Sequence, residues 1–297
     1  MSTRDTALPI RAATEVLAAH GITPDRCDVL QNGHTLVLRL TADLVARVVQ
    51  DVDGPRQGTE WFARENAIAH HLTEHGAPVI PLHPALPPEP HFHLGYPMNF
   101  WQYVRAVETA PLPAEIGRTL HQCHAILASF PGELSPLAII TESLALLEAP
   151  TQRVAFAGSD WELLHRHLSV ALDTLGSRPF QPLHGDAHMG NLMNTTAGLL
   201  WTDWEDAFSG PVEWDVASII WNARLLEQDH ATADAILAAY RAAGGEVEDD
   251  VLYRCLVARA AVMSAWYPTL YPDPGEERRR KLRHRLDWLA TQDAADV

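Results

Sequence analysis

Lysine is almost missing from this chain: of 22 Lys and Arg residues, Lys281 alone is a lysine. It follows Arg280, so no phosphate loop ending in Gly-Lys-Ser/Thr can be written. No two of the 17 glycines stand two residues apart, which removes the GxGxxG dinucleotide fingerprint. No histidine precedes a glutamate, so HExxH zinc sites are excluded, and GxSxG is missing as well. Cysteine is scarce: Cys27, Cys123 and Cys255 are odd in number and widely spaced. They form no disulfide framework or CxxC motif and suit a reducing cytosol. No apolar run approaches the roughly 18 residues of a membrane span; the richest, around Leu256–Trp266, is broken by Arg259. The start, MSTRDTALPIRAATEVLAAHG, has no uninterrupted apolar core and no cleavage signature. A soluble, cytoplasmic protein without a membrane partner is expected.

Positive charge is short overall. Against 22 Lys and Arg stand 38 Asp and Glu, a net charge of −16. Such a chain repels nucleic acid and anionic membranes and favours cationic ligands; a nucleotide would need a local basic patch or a metal. At 297 residues, 47% apolar and 20% charged, the composition is globular. The length allows one large or two modest domains.

Residues 8–20 read as a short amphipathic helix ending at Gly21. Thr35–Leu40 and Leu44–Gln50 are β-rich runs joined by a turn at Thr41–Asp43, with Asn32-Gly33 as a tight-turn dipeptide before them. A helix follows at about Gln57–His75, where Trp61, Glu65, Ile68 and Leu72 recur at i, i+4, i+7 and i+11. That spacing puts Glu65 on the buried stripe, where a carboxylate needs a partner. Arg47, flanked by apolar residues in LVARVV, is the candidate. Seven prolines between residues 78 and 97 mark a stiff connector with one edge strand, and NFWQYV (99–104) reads as another strand. From Pro113 the pattern turns helical: Ile116, Leu120, Cys123, Leu127 and Phe130 form one stripe. Further helices are expected near 136–148, 160–175, 212–227, 231–243, 249–265 and 276–291. The outline is a small β-rich lobe (1–103), a hinge near 104 and a larger helical lobe (104–297).

A non-helical island at 180–203 carries the densest polar residues. His184-Gly185-Asp186 and Asn191 precede a short hairpin, Leu192–Asn194 with Leu199–Thr202, that ends at Asp203. Phosphoryl transfer explains this set. An acceptor hydroxyl needs a carboxylate to orient it and take its proton, and nucleotide phosphates need Mg²⁺, a hard ion held by one or two protein oxygens. Asp186 is the candidate base, and Asn191 and Asp203 are the candidate metal ligands.

HGDxxxxN, a hairpin, then Asp-Trp-Glu-Asp, Gly-Pro and Trp-Asp-Val-Ala together resemble the aminoglycoside phosphotransferase family of small-molecule kinases. The resemblance runs from about residue 29 to 225 and is most specific at 183–215. It implies an α+β, bilobal, protein-kinase-like fold: a nucleotide-clamping, β-rich N-lobe with one main helix and a helical C-lobe with the catalytic loop and substrate site. It implies that Asp186 is the catalytic base, that His184 fixes the loop's geometry and that Asp215 braces the loop through backbone amides. Arg47 would grip phosphate, paired with Glu65; Gly33 would lie in the phosphate-covering turn; Gln102, Tyr103 and Val104 would meet adenine. Two departures stand out. The small-lobe cation is arginine, whose fork is not interchangeable with lysine, and the phosphate-covering turn Asn32-Gly33-His34-Thr35 has a single glycine. The implied activity is transfer of the γ-phosphate of ATP or GTP, with Mg²⁺, to a hydroxyl of a small molecule, by a monomer or weak dimer. The acidic balance suits a cationic acceptor such as an aminoglycoside-type antibiotic; a sugar, amino sugar, choline or macrolide is the alternative.

Competing readings are a nucleotide-binding pseudokinase, and a hydrolase whose metal is held by His184, Asp186 and His188. The second leaves Asn191, Asp203 and the Arg47–Glu65 pair unexplained. His124 is expected to pack or hydrogen-bond structurally rather than to catalyse. The basic run Arg278–Arg285, with Leu282, Leu286 and Leu289, is expected to be an amphipathic helix with a solvated basic face. Trp204, Glu205 and Asp206 are balanced between substrate contact and simple solvation. Asp160, Glu162, Glu227 and Asp229 are candidates for a cation-binding lining.

Overall fold

The computed structural model describes residues 6–33, 35–50 and 59–292. Gln57 and His34, which the expected second helix and phosphate-covering turn include, lie outside them. The chain divides into two compact units, residues 1–110 with 192–206, and residues 111–191 with 207–297.

The first unit begins with α1 (Ala7–Ala19), which buries Ala12, Ala13, Val16 and Leu17. It stops where Gly21 takes φ +74°, a left-handed position that glycine adopts without a Cβ clash. Strands β1 (Asp28–Asn32), β2 (Thr35–Arg39) and β3 (Leu44–Val49) follow, then α2 (Glu60–Glu74), β4 (His91–His93) and β5 (Tyr96–Gln102). The sheet is antiparallel throughout, in the order β1-β2-β3-β5-β4. The period-2 pleat sorts its side chains. Leu36, Leu38, Leu44, Ala46 and Val48 share one core with α1, while Val49 packs with Trp61 and Phe62 of α2. Arg47, one residue out of phase with Ala46 and Val48, therefore points to the α2 side, opposite Asn99 in the β3–β5 register. Strand β1 was not expected: all five of its residues are exposed, so no alternation marks it.

The second unit opens with α3 (Pro113–Leu127), α4 (Ala138–Glu148), the single turn α5 (Pro150–Arg153), α6 (Gly158–Leu175) and the two-residue β6 (Gln181–Pro182). The chain then returns to the first unit for the hairpin β7 (Leu192–Thr195) and β8 (Gly198–Trp201). Trp201 ties this hairpin to the proline-rich connector: its N–H donates to Pro78 O at 2.8 Å, and Ile80 N–H to Trp201 O at 3.0 Å. Back in the second unit come β9 (Ser209–Gly210), paired with β6, then α7 (Glu213–Trp221), α8 (His230–Ala242), α9 (Asp249–Ala265), the single turn α10 (Tyr267–Leu270) and α11 (Glu276–Thr291). Helix α3 crosses α8 at Gly117, where a Cβ would come within 2.2 Å of Ile236 O, so only glycine permits this approach. α7 is buried along its whole length, and α9 on almost every face, as a central helix must be.

Three details depart from expectation. The helix expected to run to 227 passes at Asn222–Leu226 into a π-helical turn. Two single-turn helices, each with proline at its first or second position, are too short to leave a periodic pattern. And the basic helix α11 is not solvated throughout: Arg285 is only 6% exposed. It stands at i−4 from Leu289 and beside Leu286, on the apolar stripe itself.

Candidate active site

The loop after β6 is held by one carboxylate. Asp215, in the first turn of α7 and fully buried, accepts the N–H of His184 at 2.7 Å on Oδ2 and that of Gly185 at 3.0 Å on Oδ1. Its Oδ2 also faces His124 Nε2 at 2.9 Å, and His124 Nδ1 faces the Tyr240 hydroxyl at 2.7 Å. With a carboxylate on Nε2, that nitrogen donates to Asp215, and Nδ1 is left to the Tyr240 hydroxyl. Trp214 Nε1–H donates to Gly185 O at 2.8 Å, and Gly185 sits at φ +85°, which suits a residue without a Cβ. Four residues of α3, α7 and α8 thus determine how the His184–Asp186 backbone runs. His124 has the structural role expected of it.

Asp186 follows at once. One carboxylate oxygen is ion-paired with Arg259 Nη2, and the other lies 3.3 Å from His188 Nε2. His188 Nδ1 accepts the Gly190 N–H at 2.8 Å, so its Nε2 carries the proton toward Asp186. A Cβ on Gly190 would fall 2.6 Å from the His188 ring, so glycine makes room for the imidazole. Burial alone would push the Asp186 carboxyl up, but Arg259 and His188 outweigh it and hold the group well below the usual carboxylate range. Asn191 Nδ2–H donates to Asp186 O at 2.9 Å, which leaves its carbonyl oxygen as the acceptor. His184 is buried, with Nδ1 at 3.4 Å from Asp186 N. Among the described residues no group of three or more His, Cys, Asp and Glu side chains could hold a metal ion, which removes the support for the His184–Asp186–His188 hydrolase.

The first unit holds its own charged cluster. Arg47 Nη1 donates to both oxygens of Glu65, at 2.9 and 3.0 Å. Its Nη2 donates to Glu205 Oε2 at 2.5 Å and lies 3.1 Å from Asp203 Oδ1. Asn99 Nδ2–H adds a bond to Glu65 Oε2 at 2.9 Å, and is itself oriented by Trp101 Nε1 at 2.9 Å. Burial pushes the Glu65 carboxyl up, against the pull of Arg47, with Asp203 and Glu205 adding to the rise. Burial also works against the Arg47 charge, but the surrounding carboxylates outweigh it and hold its pKa above the ordinary arginine value. Three acids share one guanidinium. Asp203 carries two further marks: its backbone sits at φ +67°, rare for a residue with a Cβ, and its buried Oδ1, off the N–H direction of Arg47, has no hydrogen-bond partner. An oxygen donor left unbonded among an excess of negative charge fits a hard divalent cation, as does the Asn191 carbonyl.

The expected adenine contacts are partly engaged elsewhere. Gln102 N–H donates to Pro81 O at 2.9 Å and Tyr103 N–H to Asp43 O at 2.6 Å. Among the described residues Val104 N–H has no such main-chain partner. Gly33 N–H donates to Thr35 O at 3.1 Å, and its carbonyl accepts Gln50 Nε2 at 3.1 Å.

Sequence reasoning missed Arg259 and Glu205 as members of these clusters. Arg259 was visible only as an interruption of an apolar run, and no spacing rule links it to Asp186, 73 positions away. Glu205 stood among acids that solvation explained equally well. Two of the acids weighed for a cation-binding lining have structural partners instead: Asp160 forks with Arg283 at 3.0 Å, and Asp229 caps α8 through Thr232 N–H at 3.1 Å.

Comparison with known proteins places the fold. Among solved structures, the chain is similar to an amicoumacin kinase in complex with AMP-PNP, Ca²⁺ and Ami, with TM-score 0.70, 12% identity and 96% of each chain covered. It is similar to the choline kinase LicA from Streptococcus pneumoniae, with TM-score 0.67, 16% identity, and 94% of this chain and 98% of that one covered. It is also similar to a spectinomycin phosphotransferase in complex with ADP and spectinomycin, with TM-score 0.63, 12% identity, and 96% and 98% covered. These likenesses show the protein-kinase-like fold of small-molecule kinases, mixed helix and strand with an antiparallel sheet near the N-terminus. No curated protein matches the sequence. The model of the phosphotransferase enzyme family, APH, matches residues 14–251. The chain belongs to that family, and it is a phosphotransferase with an alcohol group as acceptor.

Proposed function

We propose that this protein transfers the γ-phosphoryl group of a nucleoside triphosphate, ATP or GTP, to a hydroxyl of a small molecule, with Mg²⁺ as the metal. The observation that carries the reading is the Asp215 brace: one buried carboxylate holds the backbone from which Asp186 and Asn191 project. Asp186 orients the acceptor hydroxyl. The acceptor oxygen bonds to Pγ, the bridging β–γ P–O bond breaks, and the hydroxyl proton passes to Asp186 and on to solvent, leaving a phosphate ester and a nucleoside diphosphate. A carboxylate held at low pKa is a weak base, which suffices because phosphoryl transfer depends mainly on positioning and charge stabilisation. Asn191 and Asp203 are the residues that would hold the metal, which supplies neutralisation of phosphate charge when bound. Arg47, kept in place by Glu65, grips phosphate oxygens; Gly33 lies in the covering turn, and the Gln102–Val104 segment meets the base. His184 keeps the loop in shape from beneath.

The relatives' ligands support a nucleotide co-substrate and a divalent ion, since the amicoumacin kinase structure holds AMP-PNP and Ca²⁺. Cys27, Cys123 and Cys255 are unbridged, which supports a cytoplasmic location. Among the described residues no helix is long and apolar enough to cross a membrane. The test is thermal stabilisation by Mg·ATP and Mg·GTP, followed by mass spectrometry of acceptor panels for an added phosphate. Stabilisation by one nucleotide and a product heavier by one phosphate are expected; absence of both would end the reading.

A further inference from the structure

The second unit contains two buried guanidiniums, and only one of them has a carboxylate partner among the described residues. Arg259 of α9 is 3% exposed; its Nη2 pairs with Asp186, and its Nε has no partner among the described residues. Arg285 of α11 is 6% exposed and makes no ion pair with any described residue; neither its Nε nor its Nη1 has a hydrogen-bond partner. Its guanidinium carbon lies 4.8 Å from the ring centre of Trp221 and 4.9 Å from that of Tyr267. The two arginines are close enough for Arg259 to disfavour the charge on Arg285, after burial itself, and Tyr271 joins Tyr267 in facing it. Trp221 ends α7 where the helix widens into the π-turn at Asn222–Leu226, the kind of irregularity that recurs at functional sites.

Arginine stays charged at any physiological pH, and a buried charge without a counter-charge is destabilising. Two aromatic faces offset part of that penalty through cation–π attraction, but they leave the N–H fork unsatisfied. The other arginines of this helix region do not share the condition: Arg283 forks onto Asp160, and Arg278 lies over Tyr271. A buried arginine that has no acid partner among the described residues leaves room for an outside one.

We infer that Arg285, with the free Nε edge of Arg259, binds an oxyanion on the acceptor, so that the substrate class is a small hydroxylated carboxylate or phosphate rather than a polycation. The inference rests on the kinase reading for the reaction, but the binding site rests on the two arginines alone. Arg259 joins the halves: one nitrogen holds Asp186, which meets the acceptor hydroxyl, while another faces the anion. The aromatic walls at Trp221 and Tyr267 fit the carbon skeleton between them. The chain's overall −16 describes its surface; this site carries two cations against one carboxylate.

The test uses the full chain, as wild type, Arg285→Met and Arg285→Lys. Panels of hydroxy acids and sugar phosphates, glycerate and glycerol 3-phosphate among them, are set beside choline, ethanolamine and aminoglycosides, each with Mg·ATP and Mg·GTP. Wild type is expected to phosphorylate an anionic acceptor, and the panel arm that reacts tells carboxylate from phosphate. In Arg285→Met the acceptor KM should rise by about 100-fold, the loss of a charged hydrogen-bonded pair, while nucleotide-induced stabilisation persists. Without any ligand, Arg285→Met should melt at a higher temperature than wild type, since an apolar side chain replaces an unpaired charge; a purely structural arginine would give a lower one. Arg285→Lys keeps the charge and loses the fork, so its KM should rise above wild type by less than about 100-fold, which tests the site even if the Met variant does not fold. Transfer to cationic acceptors alone, or an acceptor KM unchanged in both variants, overturns the inference. If no acceptor of either kind reacts and no nucleotide stabilises the protein, the kinase reading fails separately. The anion site is then read from melting: stabilisation by glycerate or glycerol 3-phosphate that is lost in Arg285→Met supports it, and equal shifts in both proteins overturn it.

Discussion

The two buried arginine clusters have opposite charge balance. In the first unit Arg47 faces three acids, Glu65, Asp203 and Glu205. In the second, Arg259 pairs with Asp186, and Arg285 has no acid partner among the described residues. A single guanidinium among three carboxylates leaves room for a cation, and a buried guanidinium without an acid leaves room for an anion. Neither cluster is a simple ion pair that contributes only to stability, because neither closes its own charge. Each imbalance points to the ligand that completes it.

Substitutions can break this contrast. The largest effect is expected at Asp186, the base in the proposed reaction: Asp186→Asn should lower kcat by about 10³-fold while nucleotide still stabilises the fold. A loss below tenfold in steady-state turnover would remove Asp186 from its role. Next, Arg47→Met should reduce unfolding free energy by about 3–4 kcal/mol in denaturant titration, because it leaves buried Glu65 uncompensated. The same replacement at position 285 is expected to act in the opposite direction, so the pair of variants separates a compensated arginine from an uncompensated one. Asp203→Asn should weaken Mg²⁺-dependent nucleotide binding by at least about 10-fold. It should leave apo stability within about 1 kcal/mol of wild type or slightly above, since one of three crowded acids is gone and the site is part-exposed. An unaltered Mg²⁺ requirement in calorimetry would contradict its role.

The smallest effect is a pH response outside both clusters. Burial lowers the pKa of His91, His121 and His167. Their folded forms bind protons less readily than the unfolded chain, so stability falls as pH drops through the ordinary histidine value of roughly 6.5 toward the depressed ones. Melting temperature followed from pH 7.5 to about 5.5 should decline, and His167→Gln should blunt that decline.

Much of this was legible beforehand where one residue type sits in a strong local pattern. The 4-3 stripe from Ile116 to Leu127 and the apolar register of α9 place helices within a residue or two. Glu65 on the buried face of α2 demanded a cation, and β3 offers Arg47 on the matching side of its pleat. What stayed hidden has physical reasons. Strand β1 is exposed along its length and so carries no alternation. The π-turn after Trp221 changes helix pitch without changing composition. Arg285 was disguised by the solvated arginines beside it, although its spacing to Leu289 placed it on the apolar stripe. The Arg259–Asp186 pair is a long-range product of the fold, and short-range periodicity carries no trace of it.

The chain passes from one unit to the other at 110/111, returns at 191/192 and leaves again at 206/207. Severing it after residue 110 would therefore not yield a self-sufficient N-terminal piece. Such a fragment would lack Trp201, whose backbone closes against Pro78 and Ile80, and it would strip Arg47 of Asp203 and Glu205. During synthesis those contacts must wait until the ribosome has delivered about ninety more residues. The cluster around Arg47 is thus assembled late, by a hairpin encoded next to the loop that carries Asp186.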